Sequence, residues 1–143
     1  MQKVVLVLSF FILATQGVFS EGIQTRELPK EKMQKQNKKI LQLAAKELSK
    51  TLPQKIDTYT ELVNIESKDT TLIYTYEINT GAKSDESIQK EDRSRMKEAV
   101  TYGICKTYKR FLDVNITISY LYTSAKSKVK LFRFDVTQKD CIE

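Results

Sequence analysis

The chain has 143 residues, with 24 basic and 18 acidic side chains, two cysteines and no histidine. Because histidine is absent, Ser-His-Asp and Cys-His catalytic systems are excluded, and the commonest general base is missing. The net charge of +6 either only keeps the protein in solution or favours acidic partners, such as a phospholipid surface, a cell-wall polyanion, an acidic protein or nucleic acid.

Residues 1–20 have the three parts of a secretory signal peptide. Lys3 lies in a short basic start, an apolar run extends from Val4 to Leu13, and Val18-Phe19-Ser20 suits a signal peptidase. The apolar run is about half the roughly 20 residues that a membrane span needs. We therefore expect residues 21–143 to form a single exported α+β domain, secreted or periplasmic, with no nucleic acid as its natural partner.

The first element after this segment is an amphipathic helix between Pro29 and Pro53. Proline is favoured in the first turn of a helix, and a helix rarely continues through the residue before a proline. Apolar residues at three- and four-residue steps predict one stripe that faces the core. The other faces are rich in lysine, so this basic first helix is a candidate for contact with a membrane surface, against the simpler interpretation of a solvated face. The stripe consists of Met33, Ile40, Leu41, Ala44, Leu48 and Leu52.

Two strands follow, at residues 56–66 and 71–79, with a short polar turn between them as in a hairpin. The second strand alternates apolar and polar side chains, which is the period of a strand with one buried face. Its tyrosines share a face with those of a later strand. That stripe indicates either an aromatic ligand platform or, more commonly, the core face under the helices. The four tyrosines are Tyr74, Tyr76, Tyr120 and Tyr122.

A second helix is predicted from about residue 85 to residue 112, and residues 114–122 and 129–136 predict a second hairpin. The element order is therefore α-β-β-α-β-β. Hairpin-linked strands favour an antiparallel sheet with both helices packed on one face, which is an α+β fold.

The cysteines are Cys105, near the end of the second helix, and Cys141, just after the last strand. In an oxidising compartment an isolated pair most often forms a disulfide. Closing a loop of about 37 residues would stabilise the fold by about 4 kcal/mol. Two cysteines this far apart, with no histidine, do not match the ligand spacing of a zinc site. We expect a Cys105–Cys141 disulfide, no metal and no cofactor.

Several short motifs have simpler structural interpretations, so we expect no catalytic residues. Glu91 and Asp92 are a carboxylate pair, but adjacent helix residues do not face each other. Ser–Lys pairs at residues 124–128 lie in a predicted turn, where exposed serine and lysine are ordinary. Gly81-Ala82-Lys83-Ser84 ends like a phosphate-binding loop but has Tyr76 where the earlier glycine is required, so it reads as a turn and a helix cap. Asn115-Ile116-Thr117 is a glycosylation sequon, relevant only in a eukaryotic source.

The whole exported part resembles small exported bacterial proteins, and it is similar to the α/β-type pilotins of type II secretion. Pilotins are lipoproteins that help secretins reach the outer membrane. The resemblance implies an α+β domain with a disulfide at Cys105 and Cys141, although this chain lacks the lipobox cysteine of a pilotin. It rests on Leu52-Pro53-Gln54-Lys55-Ile56-Asp57, Thr60-Glu61-Leu62, Tyr74-Thr75-Tyr76, Cys105, Arg110-Phe111-Leu112, Tyr120-Leu121-Tyr122 and Asp140-Cys141.

These observations favour a non-catalytic exported accessory or binding protein, pilotin-like or an envelope chaperone factor. Its expected partner is another exported or envelope protein. The alternative is a small secreted hydrolase that uses carboxylates or a Ser–Lys pair, or a hydrolase inhibitor or effector. A cleft with convergent carboxylates of raised pKa would mark the enzyme, and a stable complex with an exported protein would mark the binding protein.

Overall fold

The computed structural model describes residues 29–141, so the predicted signal peptide and the short leader after it lie outside the described residues. Within residues 29–141, no helix combines the length and the apolar character needed to cross a membrane. The elements are α1 (Lys30–Leu48), a first 3₁₀ turn (Ser49–Thr51), β1 (Gln54–Lys55), β2 (Thr60–Lys68), β3 (Thr71–Ile78), α2 (Asp85–Lys90), α3 (Ser94–Thr107), α4 (Lys109–Asp113), β4 (Thr117–Ser124), β5 (Lys130–Val136) and a second 3₁₀ turn (Gln138–Asp140).

The strands form one five-stranded sheet in the order β1-β2-β3-β4-β5. The predicted α+β class is confirmed, and three of the four strand pairs are antiparallel. The expectation of a wholly antiparallel sheet was wrong, because β3 and β4 are parallel neighbours, with Tyr74 opposite Tyr120. The chain between them passes through α2, α3 and α4, and such a helical crossover returns the next strand in the same direction.

The predicted second helix is three helices rather than one. Glu91 has an extended backbone after α2, and Arg93 has a non-helical backbone before α3. The Arg93 guanidinium donates to the Glu91 carbonyl at 2.8 Å and to the Ile88 carbonyl, and it lies 4.0 Å from the centre of the Phe132 ring. Arg93 therefore donates hydrogen bonds to carbonyl groups at the end of α2. Its contact with the Phe132 ring holds the break between α2 and α3 against β5.

Two predicted strands begin too early. Residues 56–59 form a bend, in which the Asp57 carboxylate accepts hydrogen bonds from the backbone N–H groups of Tyr59 and Thr60 at 2.8 Å each. β4 starts at Thr117 because the preceding residues close the end of α4, and Asn115 there has a positive φ of 63°. Local side-chain capping and a left-handed residue thus shorten both strands.

The core lies between the helices and the sheet. Leu41 and Ala45 of α1 and Ile104 of α3 belong to one buried cluster with strand residues such as Leu72 and Ile118. The predicted stripe of α1 is only partly correct: Ile40 is 42% exposed and Leu48 is 41% exposed. Asn37, a polar residue outside that stripe, is 6% exposed and faces inward in their place.

Candidate functional site

Cys105 and Cys141 are joined by a disulfide, with their Cα atoms 5.5 Å apart. Cys105 lies in the last turns of α3, and Cys141 follows the second 3₁₀ turn. That turn is closed by a capping box in which the Asp140 carboxylate accepts hydrogen bonds from the Thr137 backbone N–H and hydroxyl at 2.8 Å each. The backbone N–H of Thr137 is the main reason that the pKa of Asp140 is lowered. The disulfide and this capped turn hold the segment from Thr137 to Cys141 against α3.

Two adjoining depressions flank this bond, and we call them together the disulfide cleft. One has a volume of about 660 Å³ and the other about 550 Å³. Tyr102 and both cysteines line each of them. The first is otherwise lined by Lys106, Lys109, Leu112, Asp113, Gln138 and Lys139, and the second by Ser94, Lys97, Glu98, Thr101 and Asp140.

Tyr102 is the most exposed aromatic residue described, with 70% of its surface accessible. Its position on α3 is one turn before Cys105, so the ring stands between the two depressions. Leu112, which is 1% exposed, provides an apolar floor on one side. An exposed tyrosine above an apolar floor is typical of the central residue of a protein-binding surface.

Lysines form much of the rim of the disulfide cleft, and two of its three acidic residues, Asp113 and Asp140, already accept hydrogen bonds, whereas Glu98 is the third. Asp113 accepts from Lys109 at 3.2 Å and from Gln138 at 3.4 Å. Asp140 is used by the capping box described above. The remaining ammonium groups of Lys97, Lys106 and Lys139 give the rim a positive character that suits an acidic partner.

The carboxylate pair Glu91 and Asp92 has the wrong environment for the general acid of a hydrolase. Glu91 accepts from Lys83 at 2.8 Å, and this hydrogen bond lowers its pKa. Asp92 accepts from the Ser94 hydroxyl and backbone, which lowers its pKa in the same way. A catalytic acid needs a raised pKa, so both carboxylates act as structural acceptors at the break between α2 and α3.

Side chains of the Ser–Lys pairs make structural hydrogen bonds in the turn between β4 and β5. Ser124 is fully buried and accepts from the Ser127 backbone N–H at 3.3 Å. Lys128 binds the Glu77 carboxylate at 2.8 Å and 2.9 Å, so it is paired as an ammonium ion. Ser127 donates to Asp85 rather than to a lysine. These contacts fix the turn between β4 and β5 against α2.

The remaining motifs have the positions expected of turns. Gly81 has a positive φ of 60° in the loop before α2, and the Ser84 hydroxyl caps that helix by accepting from the Ser87 N–H at 3.2 Å. Asn115 of the sequon is exposed, in the turn after α4 rather than in a strand. In the described residues, no group of three His, Cys, Asp or Glu side chains is arranged to hold a metal ion.

The tyrosine stripe is a packed layer on β3 and β4. Tyr74 is 5% exposed and Tyr122 is 7% exposed, whereas Tyr76 and Tyr120 are half-buried. Neighbouring rings lie 5.1–5.5 Å apart from Tyr74 to Tyr122, and Tyr108 of the helical crossover donates its hydroxyl proton to the Tyr74 oxygen at 3.0 Å. Burial raises the pKa of Tyr122 to about 12 and holds the pKa values of Tyr74 and Tyr120 further above the usual range. This face is mainly core.

Residues 32–132 match the model of a family described as Domain of unknown function (DUF8479). The chain belongs to this family. Among curated proteins, none is similar to this DUF8479 member at the sequence level.

Three solved structures share its fold. A Pseudomonas aeruginosa protein that is inferred to be secreted (PA3611) has 16% identity and a TM-score of 0.68, over 77% of this chain and 96% of that one. The type 2 secretion pilotin EpsS of Vibrio vulnificus has 14% identity and a TM-score of 0.64, over 79% and 98%. The type II secretion pilotin AspS of Vibrio cholerae has 16% identity and a TM-score of 0.59, over 78% and 97%. The resemblance in fold to pilotins is confirmed.

The sequence patterns do not identify the disulfide cleft. Tyr102 lies outside the apolar spacing of the second helix, and an isolated tyrosine carries no signal in a single sequence. The available signal was indirect: Tyr102 is three residues before Cys105, and i,i+3 neighbours share a helix face. The lysines of the rim come from α3, α4 and the second 3₁₀ turn, so only the fold brings them together.

Proposed function

We propose that this protein is a non-catalytic exported accessory protein that binds a segment of another exported or envelope protein in the disulfide cleft. The observation that carries the proposal is Tyr102, which is 70% exposed between two depressions, one of which has the buried Leu112 as an apolar floor, with lysines on the rim. Aromatic residues in such positions supply large contact area at low cost in conformational entropy. The pilotin fold of EpsS and AspS supports a role in assembly or secretion of envelope proteins.

The export part of the proposal rests on the sequence of residues 1–20. Removal of this segment after Ser20 would leave Glu21 as the first residue. The exported chain would act from the periplasm or the exterior. Mass spectrometry of the exported protein checks this: an intact Met1 would contradict it.

The alternative of a small hydrolase receives no support from the geometry. The carboxylates considered for it have lowered rather than raised pKa values, and the lysine of one Ser–Lys pair is bound to Glu77. A hydrolase inhibitor would itself be a binding protein, and the identity of the captured partner would reveal it.

The test compares Tyr102→Ala with Tyr59→Ala in a pull-down of the disulfide-bonded chain from its own host. Tyr59 is 65% exposed in the bend before β2, so the two variants remove the same side chain from different surfaces. Loss of a central aromatic contact costs at least about 2 kcal/mol, which weakens binding about 30-fold. We expect one exported or envelope protein to be captured by the wild type and Tyr59→Ala, and to be lost with Tyr102→Ala. Equal capture by both variants would contradict the proposed site.

A further inference from the structure

A second surface lies on the outward face of α1. Lys32, Lys35, Lys39 and Lys46 are all exposed, and helical geometry places them within a sector of about 60°. The buried residues Asn37, Leu41 and Ala45 lie on nearly the opposite side of the helix. α1 is therefore held to the sheet by one face and presents four ammonium groups on the other, over about 21 Å of its length.

The acidic residues of the described chain do not neutralise this face. Within residues 29–141, the ion pairs of α1 and the turn after it are Lys38 with Asp69 at 3.6 Å and Lys50 with Glu47 at 2.8 Å. None of the four outward lysines is in an ion pair there. Their combined positive potential remains available to an external anionic surface.

The same face also carries an apolar side chain that the core does not use. Leu43 is 57% exposed, with Lys39 four residues before it and Lys46 three residues after it. An exposed leucine among lysines on one helix face suits contact with a membrane interface. A groove, which a peptide would require, is not needed for such contact.

We propose that the outward face of α1 docks the protein on an anionic phospholipid surface. The lysines contact lipid phosphates, while Leu43 enters the boundary between headgroups and acyl chains. No residue of α1 lines the disulfide cleft, so the two surfaces can be altered separately. Failure of either proposal leaves the other standing.

The test measures co-sedimentation of the exported, disulfide-bonded chain with phospholipid vesicles. One set contains phosphatidylcholine alone, and the other contains phosphatidylcholine and phosphatidylglycerol at three to one. We expect binding to the anionic set that weakens as salt is added, because the lysine contacts are exposed and screened. Each lysine near an anionic surface strengthens binding about fivefold. The combined variant K32Q, K35Q, K39Q and K46Q should therefore lose binding by about a hundredfold or more.

Two matched controls separate this face from general effects. The combined variant K55Q, K90Q, K126Q and K130Q removes the same charge from exposed positions elsewhere and should keep most of the binding. L43Q should weaken binding about tenfold, whereas V129Q, at a 47% exposed valine on another surface, should not. Circular dichroism verifies that each variant is folded.

Four results would overturn the proposal. They are no binding of the wild type to anionic vesicles, equal binding to both vesicle sets, equal losses from the two lysine variants, and binding of soluble polyphosphate through the α1 lysines without vesicle binding. The last result would assign the face to a polyanion instead of a lipid surface.

Discussion

Asn37 is a buried polar side chain on the inner face of α1, and its amide donates to the Val114 carbonyl at 2.8 Å. Val114 follows α4, so this single hydrogen bond joins the first helix to the end of the crossover. Leaving a buried polar side chain without its hydrogen bond costs about 1–3 kcal/mol, so the contact of the buried Asn37 amide is a strong constraint on how α1 docks.

Replacing Asn37 with alanine should lower the free energy of unfolding by about 2 kcal/mol, since the Val114 carbonyl loses its donor and a small cavity is left. Urea unfolding followed by circular dichroism measures this. Gln36→Ala, at the exposed neighbouring position, should change the stability by less than about 0.5 kcal/mol. Equal effects of the two substitutions would show that the Asn37 contact contributes nothing specific.

At the scale of elements, the disulfide joins α3 to the segment after β5 across 36 positions of sequence. Both depressions of the cleft include its cysteines, so the bond also shapes the candidate site. Replacing both cysteines by serine should lower the free energy of unfolding by about 4 kcal/mol, chiefly because the unfolded chain gains freedom. Urea unfolding of this variant should match that of the reduced wild type. A loss below about 1 kcal/mol would contradict the expected stabilisation.

The buried tyrosine layer of β3 and β4 predicts how stability depends on alkaline pH. The pKa of Tyr122 is raised to about 12, against about 10 in the unfolded chain. A pKa that is raised in the folded state contributes stability that is fully present below pH 10 and is lost as the pH rises towards 12. The reason is that the tyrosine of the unfolded chain loses its proton at a lower pH than the tyrosine of the folded chain. Tyr74 and Tyr120 shift in the same direction.

Tyr122→Phe should therefore retain about 1 kcal/mol more of its neutral-pH stability at pH 11 than the wild type does. Urea midpoints at pH 8 and pH 11 measure the difference. Tyr59→Phe, at an exposed position, is the control and should follow the wild type. An identical alkaline loss in Tyr122→Phe and the wild type would show that Tyr122 does not contribute.

Periodicity identified most of the elements but not how they are joined. The alternation of β3, β4 and β5 is strong because each strand has one apolar face, and these strands were predicted within a few residues. The breaks in the helical crossover were missed, because they depend on Arg93 reaching backbone carbonyls and the Phe132 ring. Contacts between residues that are distant in sequence do not alter the local spacing of apolar residues, from which the helices were predicted.

At the scale of the whole molecule, the sequence could not place β3 beside β4. Two hairpins can be arranged with either of their strands in the middle of the sheet, and local patterns do not choose between them. In the parallel β3–β4 pair, the tyrosines of the two strands lie side by side in the sheet. The helical crossover between these strands places α3 in contact with β5. This arrangement brings Tyr102 and the rim lysines together, which explains why the disulfide cleft follows from the fold and not from a motif.

The whole molecule thus has two surfaces on different helices, the outward face of α1 and the disulfide cleft. Site-specific photo-crosslinking in the native host would show whether an exported or envelope protein binds in the cleft. Benzoylphenylalanine would replace Tyr102 in one variant and Tyr59 in another, since both side chains are exposed. We expect a light-dependent adduct with one exported or envelope protein at position 102 and none at position 59. No adduct at position 102, or the same adduct at both positions, would contradict it.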